Sequence, residues 1–246
     1  MSLNQTISKL TEMKLYGMAE SLSRRINQPD HKGLSFEDFL TLLIDDEYLN
    51  RKNNKYTRLL KQAKFKISQA RLEEIDYSTK RGLLKTKVLN LQNTAWIDEK
   101  QNILITGPTG VGKTYLTCAF GTWACYNGHT TLYFRWSKLL DNLYASQGDG
   151  TYLKFLNKLA KVKVLIIDDF ATSSMSDMAR KDFFDIIEDR YMTGSTIISS
   201  QLPINHWHEF IGDETIADAI CDRLFHISHK FELKGGSMRK KQKNID

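Results

Sequence analysis

No apolar stretch in the 246 residues approaches the ~20 that a helix needs to cross a bilayer. The opening residues, Met1-Ser2-Leu3-Asn4-Gln5, lack a basic flank followed by an apolar core, so no signal peptide is expected. These two absences predict a cytoplasmic chain that does not engage membranes. Cysteine is scarce. Cys118, Cys125 and Cys221 are odd in number and none has metal-ligand spacing, which argues against a disulfide framework. Cys118 and Cys125 lie seven apart on a predicted helix and read as small buried thiols on one face. His206 and His208 have no third ligand near them in the sequence, so no metal is expected there. Internal repeats and low-complexity segments are absent as well.

What is present suits one α/β domain with a smaller appendage, long enough to bury a sizeable core. Hydrophobic residues make up 41% and charged residues 26%, the balance of a globular chain. The net charge of +6 is spread unevenly. Arg51, Lys52, Lys55, Arg58, Lys61, Lys64, Lys66, Arg71, Lys80, Arg81, Lys85 and Lys87 face only three acids in the same stretch, Glu73, Glu74 and Asp76. From Lys230 onward, six cations face two acids. A basic arm on an otherwise mildly acidic chain points to a polyanionic partner, and the density of one sign favours nucleic acid over a merely solvated face.

Residues 1–76 read as helical. Leu3, Ile7, Leu10, Met18, Leu22 and Ile26 recur at helical spacing, and Pro29-Asp30-His31-Lys32-Gly33 breaks the pattern. Ser35 is placed to cap a second helix at the amide of Asp38, with Phe36, Phe39, Leu40, Leu43 and Ile44 as its apolar face. A third helical stretch carries Tyr56, Leu59, Leu60, Ala63 and Ile67 among the cations. Residues 77–92 read as a basic linker, and a core domain with a short basic tail is expected over 93–246. There the pattern alternates between strands (Ile103–Thr106, Thr131–Phe134, Val164–Ile167, Thr196–Ser199, Ile227–Leu233) and helices (Lys113–Tyr126, Ser137–Ser146, Thr151–Lys161, Ser176–Tyr191, Thr215–Leu224). Such alternation predicts a parallel sheet covered by helices on both faces, with Ile227–Leu233 as an edge strand.

Gly107-Pro108-Thr109-Gly110-Val111-Gly112-Lys113-Thr114 fits GxxxxGK[ST], between a predicted buried strand and a predicted helix. Glycines let backbone amides wrap a phosphate chain, and the helix adds its positive end. Lys113 would meet the β- and γ-phosphates of ATP, and Thr114 would ligate Mg²⁺. Tyr115 completes the expected ATP-binding set. Val164–Asp169 is an apolar strand ending in two acids. Asp168 is expected at the Mg²⁺, and Asp169 stands where many ATPases carry Glu to orient the attacking water. Its shorter arm predicts slow hydrolysis. At the next strand end, Gln201 is a candidate for the γ-phosphate or the water, with Ser199 and Ser200 as rivals. Arg223 ends a helix, where the dipole alone would stabilise a cation.

In order, Gly107–Thr114, Leu165–Asp169, Ser199–Pro203 and Asp222-Arg223 resemble the AAA+ branch that includes bacterial helicase loaders of the DnaC type. Further matches bring the chain nearer to IstB-like insertion-sequence transposition helpers: Gly17-Met18-Ala19, Leu34–Leu40, Arg81-Gly82-Leu83, Ile187–Tyr191, Thr196–Pro203 with Trp207-His208-Glu209, Ala217–Ile220 and Leu233–Gly235. The resemblance implies an α/β AAA+ P-loop fold with an all-helical N-terminal domain. It implies an ATPase that assembles as a homo-oligomer on duplex DNA and assists a DDE-type transposase. By position it makes Gln201 the sensor and Arg223 an arginine finger for a neighbour's ATP, while Arg239 is either a second sensor or a DNA contact. Thirteen residues after Leu233 are too few for a helical lid. A helicase loader shares this core and would differ in client. A small-molecule kinase would need an arginine-rich lid that the sequence lacks. A DNA scaffold gated by ATP without turnover is the reading that Asp169 leaves open.

Overall fold

The computed structural model describes residues 2–26, 34–77 and 81–238. The expected break at 29–33, Lys80, and the tail from Arg239 lie outside the described residues. The chain divides into two compact units, Met1–Arg58 and Leu59–Asp246.

In the first unit, α1 (Leu3–Glu12) and α2 (Tyr16–Ile26) are separate helices where the periodicity suggested one. Lys14 adopts a left-handed φ of 60° between them, a turn without a glycine or proline to announce it. The opposite happens in α3 (Phe36–Ala63), one helix of 28 residues where the sequence suggested two. No glycine or proline interrupts it. The amide of Asp38 donates to Ser35 Oγ at 3.1 Å, as the capping pattern predicted.

The N-terminus of α2 exposes amides that need acceptors. Glu47 from α3 supplies one: its Oε2 accepts from Gly17 N at 2.7 Å and Met18 N at 3.2 Å. Its other oxygen pairs with Arg51 Nε at 2.6 Å. Burial raises the Glu47 pKa, but the bonds from Arg51, Met18 and Gly17 outweigh it and hold the carboxyl below its ordinary value. Asp46 is likewise lowered, first by Ser21 and then by Arg25.

The second unit holds one sheet of five parallel strands in the order β2-β3-β4-β1-β5. These are β1 (Asn102–Thr106), β2 (Thr131–Arg135), β3 (Val164–Phe170), β4 (Ser195–Ser200) and β5 (Ser228–Glu232). β1 and β4 are buried along their whole length, and β3 everywhere except at Asp169, because both faces are covered. One face carries α6 (Lys113–Tyr126). The other carries α7 (Trp136–Gly148), α8 (Tyr152–Lys161), α9 (Asp177–Arg190), α10 (Trp207–Ile211) and α11 (Glu214–Phe225) around Trp136, Phe170, Phe183 and Trp207. β5 is an edge, as expected.

The segment before β1 packs on α6. Thr122 Oγ donates to Ala70 O at 2.6 Å, and Trp123 Nε1 donates to Gln92 O at 2.7 Å. Leu83, Val88 and Leu91 are buried, so residues 77–92, expected as a linker, carry core side chains of this unit. Two short helices, α4 (Lys85–Leu89) and α5 (Ala95–Asp98), lie here without a periodic signal in the sequence.

Among the described residues, Arg190 is the largest fully buried charged side chain, 2% exposed. Its guanidinium donates to Leu159 O, Val162 O, Ser195 O and Thr196 Oγ1, tying the end of α8 to α9 and β4. These are neutral acceptors, and burial pushes its pKa down to about 9.

Glu47→Gln should loosen the α2–α3 pairing. The lowered pKa of Glu47 means its stabilisation is complete above the ordinary carboxylate pKa and is lost as pH falls through the lower folded value. Amide exchange at Gly17 and Met18, followed in the full chain, should speed up in the variant near neutral pH, corresponding to about 1–3 kcal/mol. The parent should show the same acceleration only on acidification. Equal protection of both amides in parent and variant would show that Glu47 does not cap α2.

Candidate nucleotide-binding site

β1 ends at Thr106 and the chain turns through Gly107–Gly112 into α6, whose first residue is Lys113. Every position from Gly107 to Thr114 therefore lies where the motif placed it. Lys113 is 6% exposed and donates from Nζ to Gly107 O at 2.7 Å and Pro108 O at 2.9 Å.

Two of the loop's glycines are required by packing behind the loop. A Cβ on Gly107 would sit 2.2 Å from Leu233 O, and one on Gly110 would sit 2.3 Å from Ser237 Oγ. The chain beyond β5 runs along the loop: Leu233 N donates to Thr106 O at 2.7 Å and Met238 N to Gly110 O at 2.8 Å. Arg81, 8% exposed, braces the same loop by donating from Nη1 to Val111 O at 3.1 Å. It belongs to the basic run expected to meet nucleic acid. Its burial removes it from that surface, a distinction invisible in a count of cations.

The two acids at the end of β3 have different surroundings. Asp168 is 0% exposed. Its Oδ2 accepts from Thr114 Oγ1 at 2.9 Å and Tyr133 Oη at 2.7 Å, and its Oδ1 accepts from Ser199 Oγ. Burial, then the Asp168 carboxylate, raise the Tyr133 pKa, so the phenol stays a donor. Asp169 would point to the opposite face in a regular strand. Instead the β3–β4 register shifts between Ile167 and Phe170, and Asp169 takes φ 57°. This bulge re-aims its side chain. Asp169 then pairs with Arg135 Nε at 3.3 Å and lines the cleft in front of the loop.

That cleft has a volume of about 460 Å³, the scale of a nucleotide pocket. Thr109, Gly110, Gly112, Lys113, Thr114 and Tyr115 form its loop side, with Arg135, Asp169, Thr172 and Gln201 opposite and Lys66, Ile67 and Met238 at its margins. Gln201 Oε1 accepts from Thr109 Oγ1 at 2.6 Å. The rivals are engaged elsewhere: Ser199 with Asp168, and Ser200 with Phe170 O at 2.8 Å. Tyr115 Oη donates to Glu74 Oε2 at 3.0 Å and accepts from Arg71 N at 3.3 Å. Arg223 is not in the cleft. It pairs with Glu188, donates to Ala219 O at 2.9 Å and lies 5.7 Å from the Phe184 ring centroid. Sequence reasoning missed Tyr133, Arg135 and Thr172, and it placed Lys66 in the basic run rather than at this cleft. Only strand pairing of β2 with β3 brings the first two to the acids, and no local motif records it.

A parallel sheet with a phosphate loop after β1 and paired acids near the end of β3 defines a P-loop nucleotide-binding core with an AAA+-like fold. Solved structures agree on that fold. The DnaI structure matches with a TM-score of 0.58 at 21% identity, over 73% of this chain and 92% of that one. The DnaC helicase loader matches with a TM-score of 0.55 at 19% identity, over 67% and 97%. The model of the family described as IstB-like ATP binding protein matches residues 8–245. The insertion sequence ATP-binding protein y4pL of Sinorhizobium fredii is 41% identical over 99% of both chains. The IS21 ATP-binding protein of Pseudomonas aeruginosa is 30% identical over 95% of this chain and 88% of its own. The chain belongs to the IstB-like ATP binding proteins of insertion sequences.

Proposed function

We propose that the protein is an ATPase that assembles as a homo-oligomer on duplex DNA and assists a DDE-type transposase. The observation that carries this reading is the meeting of Lys113, the Thr114–Asp168 pair and Asp169 at one cleft, in a chain matched along its length to insertion-sequence ATP-binding proteins.

Lys113 is placed to exchange its two loop carbonyls for the β- and γ-phosphates. A hydroxyl and a carboxylate in contact are hard oxygen donors that fit Mg²⁺, with Thr114 and Asp168 as its protein ligands. Bound there, the ion would neutralise charge on the phosphate oxygens. Asp169 lines the cleft and is the acid available to orient a water, and Gln201 is the sensor candidate at the same wall. Asp169 starts from a pair with Arg135 and has a shorter arm than Glu, and both favour slow turnover.

Arg223 O accepts from Asn102 Nδ2 at 3.3 Å, at the start of β1, whereas the phosphate loop leaves its far end. Five strand residues separate these points by roughly 13 Å. We therefore read Arg223 as serving a neighbour's nucleotide rather than its own. In the first unit Lys52, Lys55 and Arg58 are exposed, and in the second Lys61 and Lys64 are; each set is proposed to meet DNA phosphates. Arg239 has the same two roles open to it, second sensor or DNA contact. A helicase loader would share the core, so capture of a cognate transposase rather than a replicative helicase by the purified protein decides the client.

Lys113→Ala should abolish binding of a fluorescent ATP analogue. Asp169→Asn should keep that binding and reduce hydrolysis by at least about tenfold. Hydrolysis by Asp169→Asn at the parent rate would exclude Asp169 as the group that orients the water.

DNA binding through Lys61 and Lys64 should be read in salt dependence. Replacing both with alanine should lower the slope of log affinity against log salt by about 0.9 for each phosphate no longer neutralised, equally on two unrelated duplexes. An unchanged slope would place the DNA elsewhere.

Arg223→Ala should bind ATP yet hydrolyse it about 10³-fold more slowly, the scale of an arginine finger. Mixed on DNA with Lys113→Ala, it should regain part of the activity, because Lys113→Ala keeps Arg223 and can complete the loaded site next to it. A helix-end cation worth at most ~1 kcal/mol would leave the single variant active. Failure of mixing to restore activity in proven co-assemblies would place the role of Arg223 within its own subunit.

A further inference from the structure

We infer that Tyr133 is a positioning residue for the metal-ligating carboxylate of Asp168, fixing the oxygen that Thr114 also touches. The inference rests on the Mg²⁺ reading of the Thr114–Asp168 pair and extends it to a residue that no nucleotide-binding motif contains. Tyr133 lies on β2 and Asp168 on β3, one strand over, with Tyr133 opposite Ile166 in the register. The phenol is 7% exposed, and its hydroxyl donates to Asp168 Oδ2 at 2.7 Å. Thr114 Oγ1 reaches the same oxygen at 2.9 Å, while Ser199 holds the other. Each carboxylate oxygen therefore has a donor that does not belong to the phosphate loop: Tyr133 for Oδ2 and Ser199 for Oδ1.

The consequence concerns the metal more than the nucleotide. If Thr114 turns its hydroxyl oxygen toward a cation, Oδ2 still has Tyr133 as a fixed donor. The carboxylate plane then stays where the fold set it, and no reorientation is needed on binding. The Tyr133 ring is buried and packs edge-on against Phe65, with centroids 6.3 Å apart, which restrains the donor. Two residues along the same face of β2, Arg135 holds Asp169. The strand beside β3 thus positions both acids, each through one side chain.

Tyr133→Phe keeps the ring and removes only the donor. Affinity for a fluorescent ADP analogue should be unchanged in EDTA, and the Mg²⁺ concentration giving half of the metal-dependent gain in affinity should rise about tenfold, the scale of one hydrogen bond to a charged group. Thr114→Ala serves as the reference. If it abolishes the Mg²⁺ effect while Tyr133→Phe leaves the half-point in place, the positioning role is overturned and the metal reading stands. If neither variant alters the Mg²⁺ effect, the metal reading itself fails. Should Tyr133→Phe not fold, 3-fluorotyrosine at position 133 of the otherwise unchanged protein gives a second readout. Its ¹⁹F resonance should shift when Mg²⁺ is added to the ADP complex, and a resonance indifferent to Mg²⁺ overturns the proposal.

Discussion

A carboxylate with no exposure to water is tolerated only when its oxygens are hydrogen-bonded, and Asp168 imposes that condition on the whole centre of the second unit. Its donors come from α6, β2 and β4. Satisfying one side chain therefore fixes the start of the helix after the phosphate loop and aligns three neighbouring strands. Replacing one donor with an apolar residue of similar size would keep the core volume and cost the carboxylate one of these hydrogen bonds, about 1–3 kcal/mol. The nucleotide cleft inherits its geometry from this arrangement. Thr114 is held at Asp168, Lys113 precedes it at the helix start, and the bulge that follows Asp168 turns Asp169 into the cleft.

The parts of this architecture legible in the sequence are those encoded by neighbours along the chain. The strand-turn-helix of Ile103–Tyr126 combines an apolar run, a turn with four glycine or proline positions (107, 108, 110 and 112) and a helical stretch, so both its fold and its position in the site could be read locally. Asp168 was legible for the same reason, as an acid at the end of an apolar strand. Tyr133 and Arg135 were not, because their partners lie more than thirty residues away and are met only through the pairing of β2 with β3. The break at Lys14 escaped because a lysine holds the left-handed turn that a glycine would have announced.

Charge was the feature read least finely. In the sequence, the cations from Arg51 to Lys87 form one basic run. In the fold they separate by environment. Arg81 is a buried brace of the phosphate loop, Arg51 serves Glu47, and Lys87 lies against Phe231 at 4.9 Å. Lys61, Lys64 and Lys66 remain exposed. Arg190 shows the same effect outside the run. It sits in Ile187–Tyr191, one of the segments that carry the family resemblance, yet it is a fully engaged structural tie with no exposure from which to meet a ligand. A motif residue shared with a family can thus be there for the fold alone.

The phosphate loop is held from behind by three separate contacts. Leu233 closes on Gly107, Ser237 on Gly110, and Arg81 on Val111, so the loop touches the chain beyond β5 and the segment before β1. Arg81 O in turn accepts from Lys234 N at 2.9 Å, which joins two of these supports to each other. Preorganisation of this kind lowers the ordering cost of binding, because the loop's backbone is already held in one conformation. It also follows that glycine at 107 and 110 meets two demands at once: close approach of phosphate on one side and of backbone or Ser237 on the other. A sequence motif records only the first of these demands, and the structure supplies the second.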